Sequence, residues 1–241
     1  MALHPYKSQI PQITSPSQDH PLLLAFLGQR AVGKTSLAKW AAGTYGGEVM
    51  SFATALKLEV YDLLAATDYK TPYVSVSAIL PDCSSIKWTD LPIPRLVLPS
   101  KQEKLQWIDA NKASLSKMIQ EYGTEYRRAQ DDRYWINPLA DKIVEFRLMG
   151  ANAIYVDDVR FRSEAQALKD LGFNLVRVNC GTQEQIDRAT IRDSSFDIST
   201  LQHQSERDTL YTYCDYIIDN SGPLHESTSS LNHAILHILN R

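Results

Sequence analysis

Cysteine is scarce in this chain of 241 residues: Cys83, Cys180 and Cys214 lie far apart and form no C-x-x-C pair. That excludes a disulfide framework, offers no zinc-site spacing and fits a reducing compartment. No apolar run approaches the ~18 residues that a membrane helix requires, and no internal repeat is visible. Positive charge is not in excess, since 25 Lys and Arg against 28 Asp and Glu leave a formal charge of −3. Such a balance argues against a polymeric nucleic-acid partner, although local Arg clusters can still hold small anions. A soluble, cytoplasmic protein without a membrane partner is expected. Residues 1–20 hold Pro, Ser and Gln without a continuous apolar stretch and read as a flexible leader.

What the chain does contain is LLLAFLGQRAVGKTS at 22–36, an apolar run, then Gly28, four residues, Gly33-Lys34-Thr35, and a helix-compatible continuation. This is the Walker A phosphate-binding loop in its required strand-to-helix setting. Its glycines let successive N–H groups point at phosphate oxygens, and the helix adds its N-terminal dipole. Gly28, Arg30, Ala31, Val32, Gly33, Lys34, Thr35 and Ser36 are therefore candidate nucleotide-binding residues. Lys34 would reach the β and γ phosphates, and the Thr35 hydroxyl would hold Mg²⁺. A glycine turn in an unrelated α/β protein is the plainer alternative.

Apolar and β-branched runs predict strands at 22–27, 48–52, 153–158, 174–179 and 215–218, with helices between most of them at 35–43, 163–171 and 224–240. The alternation indicates an α/β fold with a doubly wound, parallel, five-stranded sheet. Between the second and third strands lie about a hundred residues, too many for a simple crossover. They read as helix over 53–65, a Pro-rich stretch over 71–99, and helix again over 101–122 and 134–149, with Gly123 ending one element and Thr124-Glu125 opening the next. The organisation expected is a nucleotide-binding core, 21–52 and 150–241, with a mostly helical acceptor-binding insertion at 53–149. Residues 181–206 read as a polar cover, or lid.

SFATALK (51–57), IQEYGTEYRRAQDDRYW (119–135), VDDVRFRSEA (156–165) and HQSE…DYIIDNSG (203–222) occur in this order. Together with the loop they resemble the motifs of the phage-type deoxynucleoside monophosphate kinases, members of the P-loop nucleoside monophosphate kinase group. The resemblance spans roughly 22–222 and leaves out 1–20 and the Pro-rich stretch. It implies a P-loop kinase fold and Mg²⁺-dependent transfer of the ATP γ-phosphate to a deoxynucleoside monophosphate, in the host cytoplasm if the source is viral. A homodimer is compatible with it. Such a reaction needs in-line placement and positive charge rather than a general base, because the acceptor phosphate is already an anion.

The resemblance also carries residue roles. Arg128 would grip the acceptor phosphate, with Thr124, Glu125, Arg127 and Lys57 lining the same site; a guanidinium fork suits a monophosphate. The ordinary alternative is a solvated helix face pairing Arg with Glu125, Asp131 or Asp132. Asp158, at the end of a buried strand, would bind Mg²⁺ through water or contact the substrate. Arg160 and Glu164 follow at the family spacing, although they could equally form an i,i+4 pair at a helix start. Arg188 and Arg192, one helical step apart, would reach the ATP phosphates from the lid or remain solvated. Asn220 would approach the adenine edge, or simply belong to an Asn-Ser-Gly turn. Tyr134 and Trp135 read as core packing, and His203 lacks partners at metal spacing. Other readings stay open: a P-loop kinase for another small phosphate or alcohol, such as dephospho-coenzyme A, or a nucleotide-binding switch or assembly module.

Overall fold

The run Leu22–Leu27 forms β1 and is buried at every position, as a strand covered on both faces must be. The computed structural model describes residues 15–17, 20–66, 92–94, 98–192, 209 and 212–241. Among these, Glu48–Met50 form β2, Ala153–Val159 β3, Asn174–Asn179 β4 and Tyr216–Asp219 β5. All pair in parallel, in the order β2-β3-β1-β4-β5. The expected fold class is thus the observed one. Each expected strand is present, β2 stopping two residues short and β5 shifted by one. Most of the leader, most of 71–99, and residues 193–206 of the expected lid, His203 included, lie outside the described residues.

Strand alternation divides the core into two layers. Leu22, Leu24, Phe26, Ala153 and Tyr155 pack against α1 (Lys34–Tyr45) and α8 (Leu224–Leu239). Leu23, Ala25, Leu27, Ile154 and Val156 face the other way, toward α5 (Ile136–Leu148) and α6 (Arg162–Asp170). The connection from β1 passes β3 to reach β2, whereas the connection from β3 crosses back over β1 to reach β4. The crevice at the carboxyl ends of these strands is where open α/β sheets take their ligands, and the loop after β1 sits there.

A third apolar cluster belongs to the inserted region. Val60, Tyr61 and Leu64 of α2 (Ala53–Ala65) meet Ile108 of α3 (Lys101–Ala110), Leu115 and Met118 of α4 (Lys112–Gln120), Tyr122 and Trp135. The Ser100 hydroxyl and Glu103 close a capping box at the start of α3. One expectation fails here. Gly123 ends no helix, because α4 runs directly into a π-helical segment, Glu121–Arg128, that contains it. The break falls instead at Asn111, between α3 and α4. Residues 182–192 form α7, the helix that leads into the expected lid. Among the described residues no helix is long and apolar enough to cross a membrane.

Candidate active site

Gly28 opens the loop at φ 143°, and a Cβ there would stand 2.4 Å from the Val178 carbonyl oxygen of β4. Only glycine allows the chain to turn this close to the sheet. The loop ends at Gly33, with α1 beginning at Lys34. Thr35 and Ser36 are exposed in its first turn, where unpaired backbone N–H groups and the helix dipole favour an anion. Lys34 is almost buried, and its ammonium group donates to the carbonyls of Gly28 at 2.6 Å and Gln29 at 2.7 Å. A buried lysine needs such partners, and these tie its charge to the mouth of the loop.

The Thr35 hydroxyl of α1 stands near enough to the Asp157 carboxylate of β3 to favour its charged form. Burial raises the Asp157 pKa, as does the charge of Asp158; the Thr35 hydroxyl and the Lys34 ammonium group pull it back down. An oxygen pair of hydroxyl and carboxylate beside a phosphate cradle suits Mg²⁺, which takes one or two carboxylates and completes its shell with phosphate and water. No cluster of three or more His, Cys, Asp or Glu that could hold a metal occurs among the described residues. Thr35 and Asp157 are the donors that fit.

Asp158, the carboxylate expected in that role, is taken up by the start of the insertion. It accepts from Ser51 Oγ at 2.6 Å and from the backbone N–H groups of Phe52 and Ala53 at 2.9 Å each. Its charge therefore satisfies the amino end of α2 and anchors the insertion to β3. The two neighbouring aspartates thus have different partners, Asp157 beside Thr35 and Asp158 at the start of α2.

The two arginines of the insertion also part company. Arg127 bonds Tyr122 Oη through Nε at 2.8 Å, pairs with Glu59 of α2, and lies over the rings of Tyr122, Tyr126 and Tyr134. Tyr122 and Tyr134 donate to the same Glu59 carboxylate, and both phenol pKa values are raised, chiefly by burial. Arg127 is thus committed to the interior of the insertion. The Trp135 indole N–H donates to the Gly123 carbonyl at 2.9 Å, in line with the core role expected for it.

Arg128 crosses to the core instead. Its Nη2 donates to Glu164 Oε1 at 2.5 Å, and its guanidinium lies 3.8 Å from the centre of the Phe161 ring. Glu164 Oε2 accepts the N–H groups of Arg160 at 2.8 Å and Phe161 at 3.1 Å, capping α6. Burial pushes the Glu164 carboxyl up, while Arg128 and those two amides pull it down. Arg128 Nε, like Arg177 Nε, is buried without a hydrogen-bond partner. The pairing partners anticipated for a solvated face are mostly not the ones found. Of them only Asp132 lies near Arg128, at 3.6 Å.

Other expected residues scatter around this centre. Lys57 pairs with Asp109 of α3 at 2.7 Å. Thr124 and Glu125 lie in the π-helical segment, half-buried and exposed respectively, and Arg160 is half-buried at the end of β3. Arg188 lies 3.5 Å from both Cys180 Sγ and Glu184 on the amino half of α7. Arg192 closes that helix, and its side chain lies outside the described residues. Asn220, expected at the adenine edge, instead gives its amide N–H to the Val32 carbonyl at 2.8 Å. The sequence reading missed Asp157, Glu59 and Gln185. Strand alternation carried a signal for Asp157, which shares the Tyr155 face toward α1; the other two had none.

No protein-family model matches this sequence, and no curated protein matches it. Similar solved structures include TT1252 from Thermus thermophilus, 12% identical over 90% of this chain and 97% of that one, with TM-score 0.47. A sugar kinase from Janibacter sp. HTCC2649 is 13% identical over 91% and 94%, with TM-score 0.45. A gluconokinase from Sinorhizobium meliloti 1021 is 16% identical over 92% and 94%, with TM-score 0.45. Likenesses this distant concern the chain trace.

Proposed function

We propose that this chain is a Mg²⁺-dependent phosphotransferase that moves the γ-phosphate of ATP to a small phosphorylated acceptor, a deoxynucleoside monophosphate. The observation that carries this reading is the meeting of Lys34, Thr35 and Asp157 at the mouth of a glycine loop on a helix N-terminus. Those groups supply the N–H cradle, the cation and the metal ligands that a triphosphate requires. When bound, Mg²⁺ draws charge from the β- and γ-phosphate oxygens.

Arg128 supports the acceptor part of the reading. It reaches from the insertion to the core, held by Glu164 and the Phe161 ring, and keeps one buried N–H in reserve. A phosphate oxygen of the acceptor, held there in line, attacks the γ-phosphorus while the bond to the β-bridging oxygen breaks and ADP leaves. Neither step needs a proton removed from the acceptor at neutral pH. The deoxynucleotide choice comes from the motif resemblance, with Lys57, Thr124, Glu125 and Arg160 proposed to line the acceptor pocket and Arg188 and Arg192 to approach ATP from the lid. A small-molecule acceptor also accords with the chain's acidic balance.

A coupled ADP-release assay over the four deoxynucleoside monophosphates, their ribose counterparts, dephospho-coenzyme A and gluconate tests both halves. Turnover with a deoxynucleoside monophosphate is expected. Turnover only with another acceptor would keep the phosphotransferase and discard the nucleotide substrate. ATP binding without turnover on any of them would favour a switch or assembly module.

A further inference from the structure

Ala31 is the one non-glycine residue among those described with a left-handed backbone, at φ 65°. An L residue adopts that conformation only where its surroundings impose it. The carbonyls on either side of Ala31 are each held by a buried side-chain amide from a different element. Gln185 of α7, 3% exposed, donates Nε2 to the Arg30 carbonyl at 2.7 Å. Asn220, which follows β5 and is 4% exposed, donates Nδ2 to the Val32 carbonyl at 2.8 Å. Asn220 is itself fixed, because the Ser227 hydroxyl of α8 donates to its Oδ1 at 2.7 Å and its own N–H bonds the Asn179 carbonyl at 2.8 Å. Gly33 leaves the space it occupies, since a Cβ there would stand 2.2 Å from Asn220 Nδ2.

A trans peptide points its C=O and the following N–H in opposite directions. Holding the Arg30 carbonyl toward α7 therefore aims the Ala31 N–H away from it, and holding the Val32 carbonyl toward Asn220 does the same for the Gly33 N–H. We infer that Gln185 and Asn220 are positioning residues that clamp the Arg30–Ala31 and Val32–Gly33 peptide planes, one on each side of the Ala31–Val32 peptide, so that the N–H groups of Ala31 and Gly33 face the triphosphate. This inference rests on the phosphate-loop reading proposed above. Donors preset toward an anion need no rearrangement when it arrives, which is the source of their strength. Gln185 also makes α7, the helix leading into the expected lid, a part of the loop's support.

The test uses the full chain and MgATP. Binding is measured by calorimetry for wild type, Gln185→Ala, Gln185→Glu and Asn220→Ala, each also carrying Ala31→Gly, with melting curves for every variant. Gln185→Ala and Gln185→Glu, the latter equal in size but lacking the donor, should each weaken ATP binding by roughly tenfold. Acceptor KM should stay unchanged. With glycine at 31, which takes the left-handed conformation unaided, the loss should shrink to within about threefold. A stability role alone would not be rescued in this way. Should Asn220→Ala not fold, the Gln185 pair still decides. ATP affinity within twofold of wild type for both Gln185 variants would overturn the inference, as would an equal loss in the Ala31→Gly background. If wild type binds no ATP, the phosphate-loop reading falls separately, and amide exchange of 28–37 in the nucleotide-free chain decides the clamp. Faster exchange in Gln185→Ala upholds the clamp, and unchanged exchange overturns it.

Discussion

Arg128 and Glu164 meet at 2.5 Å across the junction between the insertion and the sheet, with side chains only 10% and 3% exposed. The carboxylate that receives the guanidinium is the same one that caps α6. A single residue thus sets the start of a core helix and the aim of the arginine proposed to hold the acceptor. Removing Arg128 would leave a buried, capped carboxylate without its counter-charge, so such a variant affects both sides of the junction.

Arg128→Ala should raise acceptor KM by about ten- to a hundredfold, the range for losing a charge-assisted contact, with ATP affinity nearly unchanged by calorimetry. Arg128→Lys should recover little of this, since an ammonium group cannot bond Glu164 and an acceptor oxygen through one planar fork. Loss of ATP binding alone would place Arg128 elsewhere.

Asp157 and Asp158 should separate cleanly by measurement. Asp157→Asn is expected to raise the Mg²⁺ concentration for half-maximal rate by roughly tenfold or more, with melting little changed. Asp158→Ala removes three accepted hydrogen bonds at the start of α2 and should cost about 1–3 kcal/mol of stability in denaturant unfolding. Reversed outcomes would return the metal to Asp158.

Lys34→Ala should lower kcat by about a hundred- to a thousandfold, as expected when one fixed charge on the transferring oxygens is lost. Its ammonium group also bridges the Gly28 and Gln29 carbonyls, so the circular-dichroism spectrum serves as the control for folding. Near-normal turnover in a steady-state assay would remove the phosphate-loop reading.

Gly123→Ala tests the π-helical segment. In an ordinary helix this change stabilises by about 0.5–1 kcal/mol, but here the new Cβ would stand 2.7 Å from Leu56 Cδ2. The end of the Leu56 side chain must shift, so the gain of an ordinary helix should be lost and the net change should stay within about 1 kcal/mol of wild type. Leu56→Ala should cost less in the Gly123→Ala background than in the wild-type chain, measured as a double-mutant cycle by chemical denaturation. Additive effects would mean that the two residues do not press on one another.

Regular elements were legible where local periodicity dominates. Leu22–Leu27 is legible with its observed bounds because a strand buried on both faces appears as an unbroken apolar run, and Asn174–Asn179 because its Leu and Val residues are bracketed by Asn. The boundary at Gly123 was misread because a glycine between helical segments looks like a terminator, whereas here its missing side chain admits Leu56. The partners of Arg127 and Arg128 were illegible for a different reason. Glu59 and Glu164 lie 68 and 36 residues from them, and no helical spacing reports a contact of that range.

The linear order of residues alone sufficed for the glycine loop between β1 and α1, the parallel sheet and the long segment between β2 and β3, since each depends on neighbours in the chain: glycine spacing, apolar runs and segment length. Folding assigned the partners. It turned Asp157 toward Thr35 and Asp158 toward α2, sent Arg127 inward and Arg128 across to Glu164, and brought Gln185 and Asn220 to the two carbonyls beside Ala31. Hydrogen bonds and ion pairs form between groups a few ångströms apart in space, and only the packing of helices on the sheet sets those distances.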